Sequence, residues 1–398
     1  MNFKNFKLHQ QILPGIKAAG YATPTPIQIK AIPEIIMGHD LIGLAQTGTG
    51  KTAAFVLPVL NRLLKAAAPS TRALILAPTR ELADQIQQDI SILGGKCGLR
   101  SLTLYGGVGI QPQINKLKKG VDIIVACPGR LIDHINRGHV DFSSLEMLIV
   151  DEADQLFDMG FIPDIRKILR HIPHDRQTLL FSATMRREIR QLADEILTKP
   201  VLVQVGSPAP ADTVDHTHFP IQQELKTALL LKILKDTPFG AVLVFTRTKH
   251  RAKRLGEILH KAGFGATSLQ GNLSQARRQA ALSGFRSGKY QILVATDIAA
   301  RGIDISGVSH VVNYDIPDTA EAYIHRIGRT GRAGQKGSAF NLVTREDSST
   351  MKAIDKMFGG PVTRYRYPDF DYGIHDMPRS SPQLHHRMPG KWRRKMGR

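Results

Sequence analysis

The sequence predicts an α/β protein with two parallel sheets, each flanked by helices. Three observations carry that expectation. Short apolar, β-branched runs alternate with helical stretches along most of the chain, the pattern of strands buried on both faces. The alternation stops once, where small residues and prolines (Gly206, Pro208, Pro210) take over, and then restarts. The 398 residues also exceed what a single core ordinarily holds. Taken in order, the first half offers strands at 40–44, 73–77, 101–105, 123–126, 147–150, 178–182 and 201–205. The second offers 241–246, 266–269, 291–296 and 310–313. The expected organisation is a first domain over 1–205, a flexible linker over 206–216, a second domain over 217–360 and a basic, unstructured tail over 361–398.

Lysine and arginine number 54 against 34 aspartates and glutamates, a net charge of +20 at pH 7 that favours a polyanionic partner, nucleic acid first. Two cysteines, Cys97 and Cys127, supply neither a disulfide framework nor a zinc ligand set, which suits a reducing compartment. No apolar run approaches the roughly twenty residues that span a bilayer, so the expected protein is cytoplasmic, without a membrane partner.

The chemistry begins at Ala45-Gln46-Thr47-Gly48-Thr49-Gly50-Lys51-Thr52, between a strand-like run and a stretch of helix formers. That context is the one a phosphate-binding loop needs. Small residues let backbone N–H groups turn toward phosphate oxygens, the helix N-terminus adds positive dipole, Lys51 reaches the β/γ-phosphates and Thr52 ligates Mg²⁺. Ala45 stands where the strict pattern has glycine. Asp151-Glu152-Ala153-Asp154 follows the strand at 147–150, which delivers two carboxylates to the sheet edge. Asp151 would help hold Mg²⁺, and Glu152 would polarise the attacking water.

With Gly20-Tyr21-Ala22-Thr23-Pro24-Thr25-Pro26-Ile27-Gln28, Pro78-Thr79-Arg80-Glu81-Leu82-Ala83, Gly106-Gly107, Pro128-Gly129-Arg130 and Ser182-Ala183-Thr184 added, the chain resembles a DEAD-box RNA helicase from Phe3 to about residue 340. The resemblance implies two RecA-like domains and ATP as the nucleotide, with Gln28 reading the adenine edge and Phe3 stacking on the base; Phe6 competes for that role. It places Arg80, Gly107 and Arg130 on the RNA sugar-phosphate backbone, without sequence readout. Ser182 and Thr184 would hydrogen-bond toward Asp154, linking hydrolysis to RNA opening, or else cap the next helix. Cys127 takes the place of a usual threonine.

In the second half, His325-Arg326-Ile327-Gly328-Arg329-Thr330-Gly331-Arg332 gathers cations that make no sense as a buried core and call for phosphates. The resemblance makes Arg329 and Arg332 arginine fingers beside His325, puts Asp304 on the nucleotide ribose and Thr296 on an RNA phosphate, and completes the RNA track with Arg247 and Gly271. Gln270 occupies a position more often histidine.

The implied activity is RNA-stimulated ATP hydrolysis, driven by closure of the two domains and producing local, non-processive duplex unwinding. An ATP-dependent RNA clamp and a DNA translocase are the alternatives. The short basic tail is most like that of bacterial RhlE-type enzymes, which implies ribosomal precursors or the RNA-degradation machinery as partners. Its Tyr365, Tyr367, Tyr372 and Trp392, set among cations, would tether RNA by charge and stacking, or else the tail is a disordered end with no role.

Overall fold

Strands here are short because each apolar run ends in a glycine-rich, hydroxyl-rich or charged motif. In the first half they form a seven-stranded, all-parallel sheet: β1 Leu41–Leu44, β2 Ala73–Leu76, β3 Ser101–Leu104, β4 Ile123–Ala126, β5 Met147–Val150, β6 Gln177–Ser182 and β7 Val201–Gln204, in the order β3-β4-β2-β5-β6-β1-β7. This computed structural model describes residues 2–46, 48–65, 70–205, 214–300, 303, 308–331, 336–358, 360 and 362–372. The chain divides into two compact units near Pro208.

Alternation along the central strands sorts their side chains into two cores, one on each face. Ala73, Ile75, Ile123, Val125, Met147, Ile149, Leu179 and Phe181 face one cluster, and Leu74, Leu76, Ile124, Ala126, Leu148, Val150 and Leu180 the other. A sheet covered on both sides is what a continuous apolar run demands.

The second unit repeats the plan with six parallel strands: β8 Val214–Pro220, β9 Ala241–Phe245, β10 Ala266–Leu269, β11 Ile292–Ala295, β12 Val308–Asn313 and β13 Gly337–Val343, in the order β10-β11-β9-β12-β13-β8. Two of these differ from expectation. The linker assigned to 206–216 ends inside β8, whose polar run Val214-Asp215-His216-Thr217-His218 hides a strand paired along its length with β13. β13 carries Gly337, Ser338 and Asn341 and likewise lacks an apolar run. The rest of the linker, residues 206–213, lies outside the described residues.

The tail departs further. At the edge strand β8, the His218 N–H donates to the Thr363 carbonyl (2.9 Å) and the Tyr365 N–H to the His218 carbonyl (2.8 Å). Tyr365 and Tyr367 are 8% and 7% exposed, packed in the core of the second unit, and the Tyr367 hydroxyl donates to Asp236 (3.1 Å). An edge strand needs cover, and alternate tyrosines of an extended segment supply it. These two rings are therefore structural and cannot stack on RNA as the sequence reading had them do. Trp392 and everything from residue 373 lie outside the described residues.

Candidate functional site

In the first unit the chemistry sits at the C-terminal ends of the strands, where open parallel sheets bind ligands. After β1, Gly48 and Gly50 take φ of 86° and 91°, a left-handed conformation that glycine adopts at no steric cost. Gly50 caps the helix Lys51–Leu63. Within the loop the Thr49 hydroxyl donates to the Gln46 carbonyl (2.7 Å), and the Ala45 N–H to the Ser182 carbonyl (3.1 Å). Thr52, half-buried, lies in the first helical turn.

Lys51 is 6% exposed, and its Nζ has no hydrogen-bond partner among the described residues. A buried ammonium in that condition is expensive unless an anion completes it. Beside it Asp151, 2% exposed, accepts from the Glu152 N–H (2.9 Å). Burial raises the Asp151 pKa, and the Lys51 charge opposes the rise. Glu152, 3% exposed, holds φ at 50°, a conformation that costs a non-glycine residue energy and is found where function requires it. The donor set therefore fits a phosphate chain with Mg²⁺: a cation awaiting an anion, a hydroxyl in the first turn and a buried carboxyl.

Gln28 meets this loop from the N-terminal motif. Its Oε1 accepts from the Thr25 N–H (3.0 Å) and its Nε2 donates to the Gly50 carbonyl (3.1 Å), which leaves one N–H and one lone pair for a ligand. Phe3 is 3% exposed and lies nearly parallel to Tyr21, ring centroids 6.0 Å apart, with Phe6 edge-on to it at 5.9 Å.

The acidic motif is tied to the next strand end. Asp154 Oδ2 accepts from the Ala183 N–H (3.3 Å) and, at the long limit of 3.5 Å, from the Thr184 hydroxyl. The Ser182 hydroxyl instead donates to the Thr184 carbonyl (2.7 Å) and holds the turn. Of the two hydroxyls expected at Asp154, the structure brings one there.

Arg80, Gly107 and Arg130 follow three adjacent strands, β2, β3 and β4, and converge. Gly107 has φ of 76°, and a side chain there would collide with the Arg80 guanidinium. A β-carbon at Gly106 would lie 3.9 Å from Arg80 and 4.0 Å from Arg130. Arg130 donates to the Val108 carbonyl (3.2 and 3.3 Å) and so closes the same loop. Two guanidinium groups around an exposed glycine turn suit a phosphate backbone. Sequence reasoning missed the support beneath them. His134, fully buried, pairs with Gln113 Oε1 (3.2 Å), and Gln113 donates to the Tyr105 carbonyl (3.1 Å), bracing the loop from the helix that carries Arg130. Burial pulls the His134 pKa down to about 4. A lone histidine in a helix carried no signal of this.

The second unit places Arg247, exposed, after β9; its N–H donates to Asp315 (2.9 Å) and its guanidinium pairs with Asp347 (3.6 Å) and Asp318 (3.8 Å). Gly271 is an exposed turn after β10, and Thr296 follows β11 at 9% exposure. His325 lies on the helix Ala320–Ile327, and Arg329, 5% exposed, follows that helix's end. Thr47, Asp304 and Arg332 lie outside the described residues. One expectation is overturned: Arg326, one of the cations thought incompatible with a core, is 2% exposed and paired with Asp297. A half-buried counter-charge at Asp297, invisible in the linear motif, removes the objection.

Comparison with known proteins gives a consistent result. The chain matches the DEAD/DEAH box helicase family over residues 25–192 and the helicase conserved C-terminal domain over 225–334. It is 42% identical over 378 residues to the DEAD-box ATP-dependent RNA helicase CshA of Geobacillus kaustophilus, covering 95% of this chain and 81% of that protein. It is 41% identical to the Bacillus subtilis CshA, covering 94% and 76%. The solved structure of S. cerevisiae Dbp5 bound to RNA and ADP BeF3 superposes with a TM-score of 0.81 at 32% identity, covering 92% of this chain and 95% of that one. With the glycine loop, the acidic motif and the paired arginines at the strand ends of the first of two parallel sheets, the chain belongs to the DEAD-box ATP-dependent RNA helicases.

Proposed function

We propose that this chain hydrolyses ATP in response to RNA and uses the cycle to open short duplexes locally rather than to track along a strand. The observation that carries the nucleotide half is the buried Lys51 ammonium, without a hydrogen-bond partner among the described residues, at a helix N-terminus and beside Asp151. In this reading Gln28 and Phe3 take the base, Asp304 the ribose, and Ala45, Gln46, Thr47, Gly48, Thr49, Gly50 and Lys51 the phosphates. Thr52 and Asp151 would hold Mg²⁺, which supplies charge neutralisation on the phosphate oxygens. Glu152 accepts the proton of the attacking water; Arg329 and Arg332 offset charge on the transferring phosphoryl group.

Arg80, Gly107 and Arg130 in one unit, and Arg247, Gly271 and Thr296 in the other, hold the RNA backbone. Joint binding of ATP and RNA favours closure of the two units, the bound strand bends away from its complement, and loss of phosphate reverses the step. Thr184 and Ala183, bonded to Asp154, carry the nucleotide state toward the RNA side. A cytoplasmic site of action fits the absence, among the described residues, of any helix long and apolar enough to cross a membrane. An RhlE-type placement would put this work on ribosomal precursors or in RNA turnover, whereas the relatives named above are CshA enzymes.

Steady-state phosphate release from ATP with no nucleic acid, with single-stranded RNA and with DNA of the same sequence tests the reading. Strong stimulation by RNA alone supports it. Equal stimulation by DNA would favour a translocase, and stimulation by neither would favour a clamp.

A further inference from the structure

The guanidinium of Arg326 is held on every side. Nε and Nη2 donate to the two carboxylate oxygens of Asp297, both at 2.6 Å, and Nη1 donates to Asn313 Oδ1 (3.0 Å) and to the Asp315 carbonyl (2.6 Å). Its carbon lies 4.9 Å from the centre of the Phe245 ring. These partners stand at the ends of β9, β11 and β12, and each leads to a residue placed on RNA. Phe245 precedes Arg247 by two positions, Asp297 adjoins Thr296, and the Asp315 carboxylate accepts the Arg247 N–H. On its own helix the Arg326 carbonyl accepts the N–H of Arg329 (3.2 Å).

The orientation of this fork is fixed from behind. Because Asn313 Oδ1 accepts from Arg326, its amide offers N–H onward, and Nδ2 donates to Asn341 Oδ1 (2.8 Å). Asn341 Nδ2 then donates to the Tyr323 hydroxyl (3.0 Å), which is hydrogen-bonded in turn to His216 Nδ1 (3.0 Å). Asn313, Asn341 and Tyr323 are fully buried. Burial holds the His216 pKa down to about 4, so at neutral pH its ring is uncharged. From Arg326 through Asn313 and Asn341 to Tyr323 the donors and acceptors run in one direction, and a buried network so ordered favours a single geometry.

We propose that Arg326 is a positioning residue that couples the RNA contacts at Arg247 and Thr296 to the placement of Arg329, with Asp297 as its anchor and the chain through Asn313, Asn341, Tyr323 and His216 fixing its fork. The coupling rests on the assignment of those three residues to RNA and phosphate given above. A residue that supports the finger alone lowers saturated turnover and leaves RNA half-saturation unchanged. One that supports the RNA loops alone does the reverse. A coupling residue moves both.

The test measures phosphate release against RNA concentration for the full chain and for R326K, D297N and N313A, with thermal unfolding and binding of an ATP analogue without RNA as references. R326K keeps the charge and loses the planar fork, so kcat falls and half-saturating RNA rises, each by about tenfold or more, with analogue affinity unmoved. D297N follows in the same direction. N313A, which keeps the Arg326–Asp297 pair, shows the same paired change at a few-fold and carries the test if R326K does not fold. A folded R326K or D297N with wild-type values of both parameters, or with only one changed, overturns the coupling. Absence of RNA stimulation in the wild-type chain overturns the functional reading and the coupling together.

Discussion

Each unit buries a cation at the C-terminal ends of its strands, and the two cations are treated in opposite ways. Lys51 in the first unit lies at 6% exposure with no hydrogen-bond partner for its Nζ among the described residues. Arg326 in the second lies at 2% exposure with donors placed on Asp297, Asn313 and Asp315. The same fold, repeated, thus keeps one site incomplete for a ligand and fills the other with its own side chains. A buried charge marks a binding site only when its partners are missing, and the linear motif does not show which case applies.

The largest expected effect tests whether the incomplete site is where the chemistry occurs. Glu152→Gln keeps the shape of the carboxyl and removes the proton acceptor, so RNA-stimulated turnover falls by about 10²–10⁴-fold while ATP and RNA binding persist. Normal turnover in this variant would refute the assigned base.

The next breaks the comparison itself by replacing each cation with methionine. Arg326→Met strands a buried amide oxygen and carbonyl together with the carboxylate of Asp297, and is expected to cost about 3 kcal/mol, the low end for breaking a buried pair because Asp297 keeps some contact with water. Lys51→Met removes a buried charge that makes no hydrogen bond among the described residues, and Asp151, whose pKa burial already raises, can take up a proton once that charge is gone, so the ligand-free first unit is expected to lose less stability than Arg326→Met costs the second, even as nucleotide binding is lost. Segment-resolved hydrogen exchange separates the units. Equal destabilisation by both substitutions would mean that Lys51 is satisfied in the free protein.

A smaller contrast lies in acid. Among the described histidines with shifted values, the first unit has His134, at about 4, and the second has His216 and His310 at about 4 and His218 at about 3. Burial is the leading cause in each. A histidine whose folded pKa lies below its unfolded value is favoured neutral in the native state. Its stabilisation is complete above about pH 6.5 and is lost as pH falls from there toward 4, at no more than about 1.4 kcal/mol per pH unit per group. With three such groups against one, the second unit is expected to lose protection first and more steeply between pH 6.5 and 4.5. Parallel loss in both units would show that other groups dominate.

What the sequence made legible follows the same physics. Apolar runs marked strands buried on both faces, such as Met147–Val150, to within a residue. β8 and β13 escaped notice because pairing with each other, not apolar side chains, holds them in the sheet. The glycine loop that leads into the helix at Lys51 was readable because backbone conformation and residue type are local, as at Gly50. The supports at His134 and Asn341 were not, because their partners lie 21 and 28 residues away, at Gln113 and Asn313, and no local pattern encodes that meeting.

The smallest effect concerns the segment after the second sheet. Tyr367 keeps its ring in the core and donates its hydroxyl to Asp236, which also pairs with Lys232 (3.0 Å). Tyr367→Phe preserves the packing and removes that donor, so the second unit loses about 0.5–1.5 kcal/mol. Asp236 stays near water and keeps Lys232, which places the value toward the lower end. RNA affinity at moderate salt should not change, because a ring that covers an edge strand offers no face to a base. A drop in RNA affinity without a loss of stability would return this tyrosine to the nucleic-acid surface and show that its contact with the sheet is broken when RNA binds.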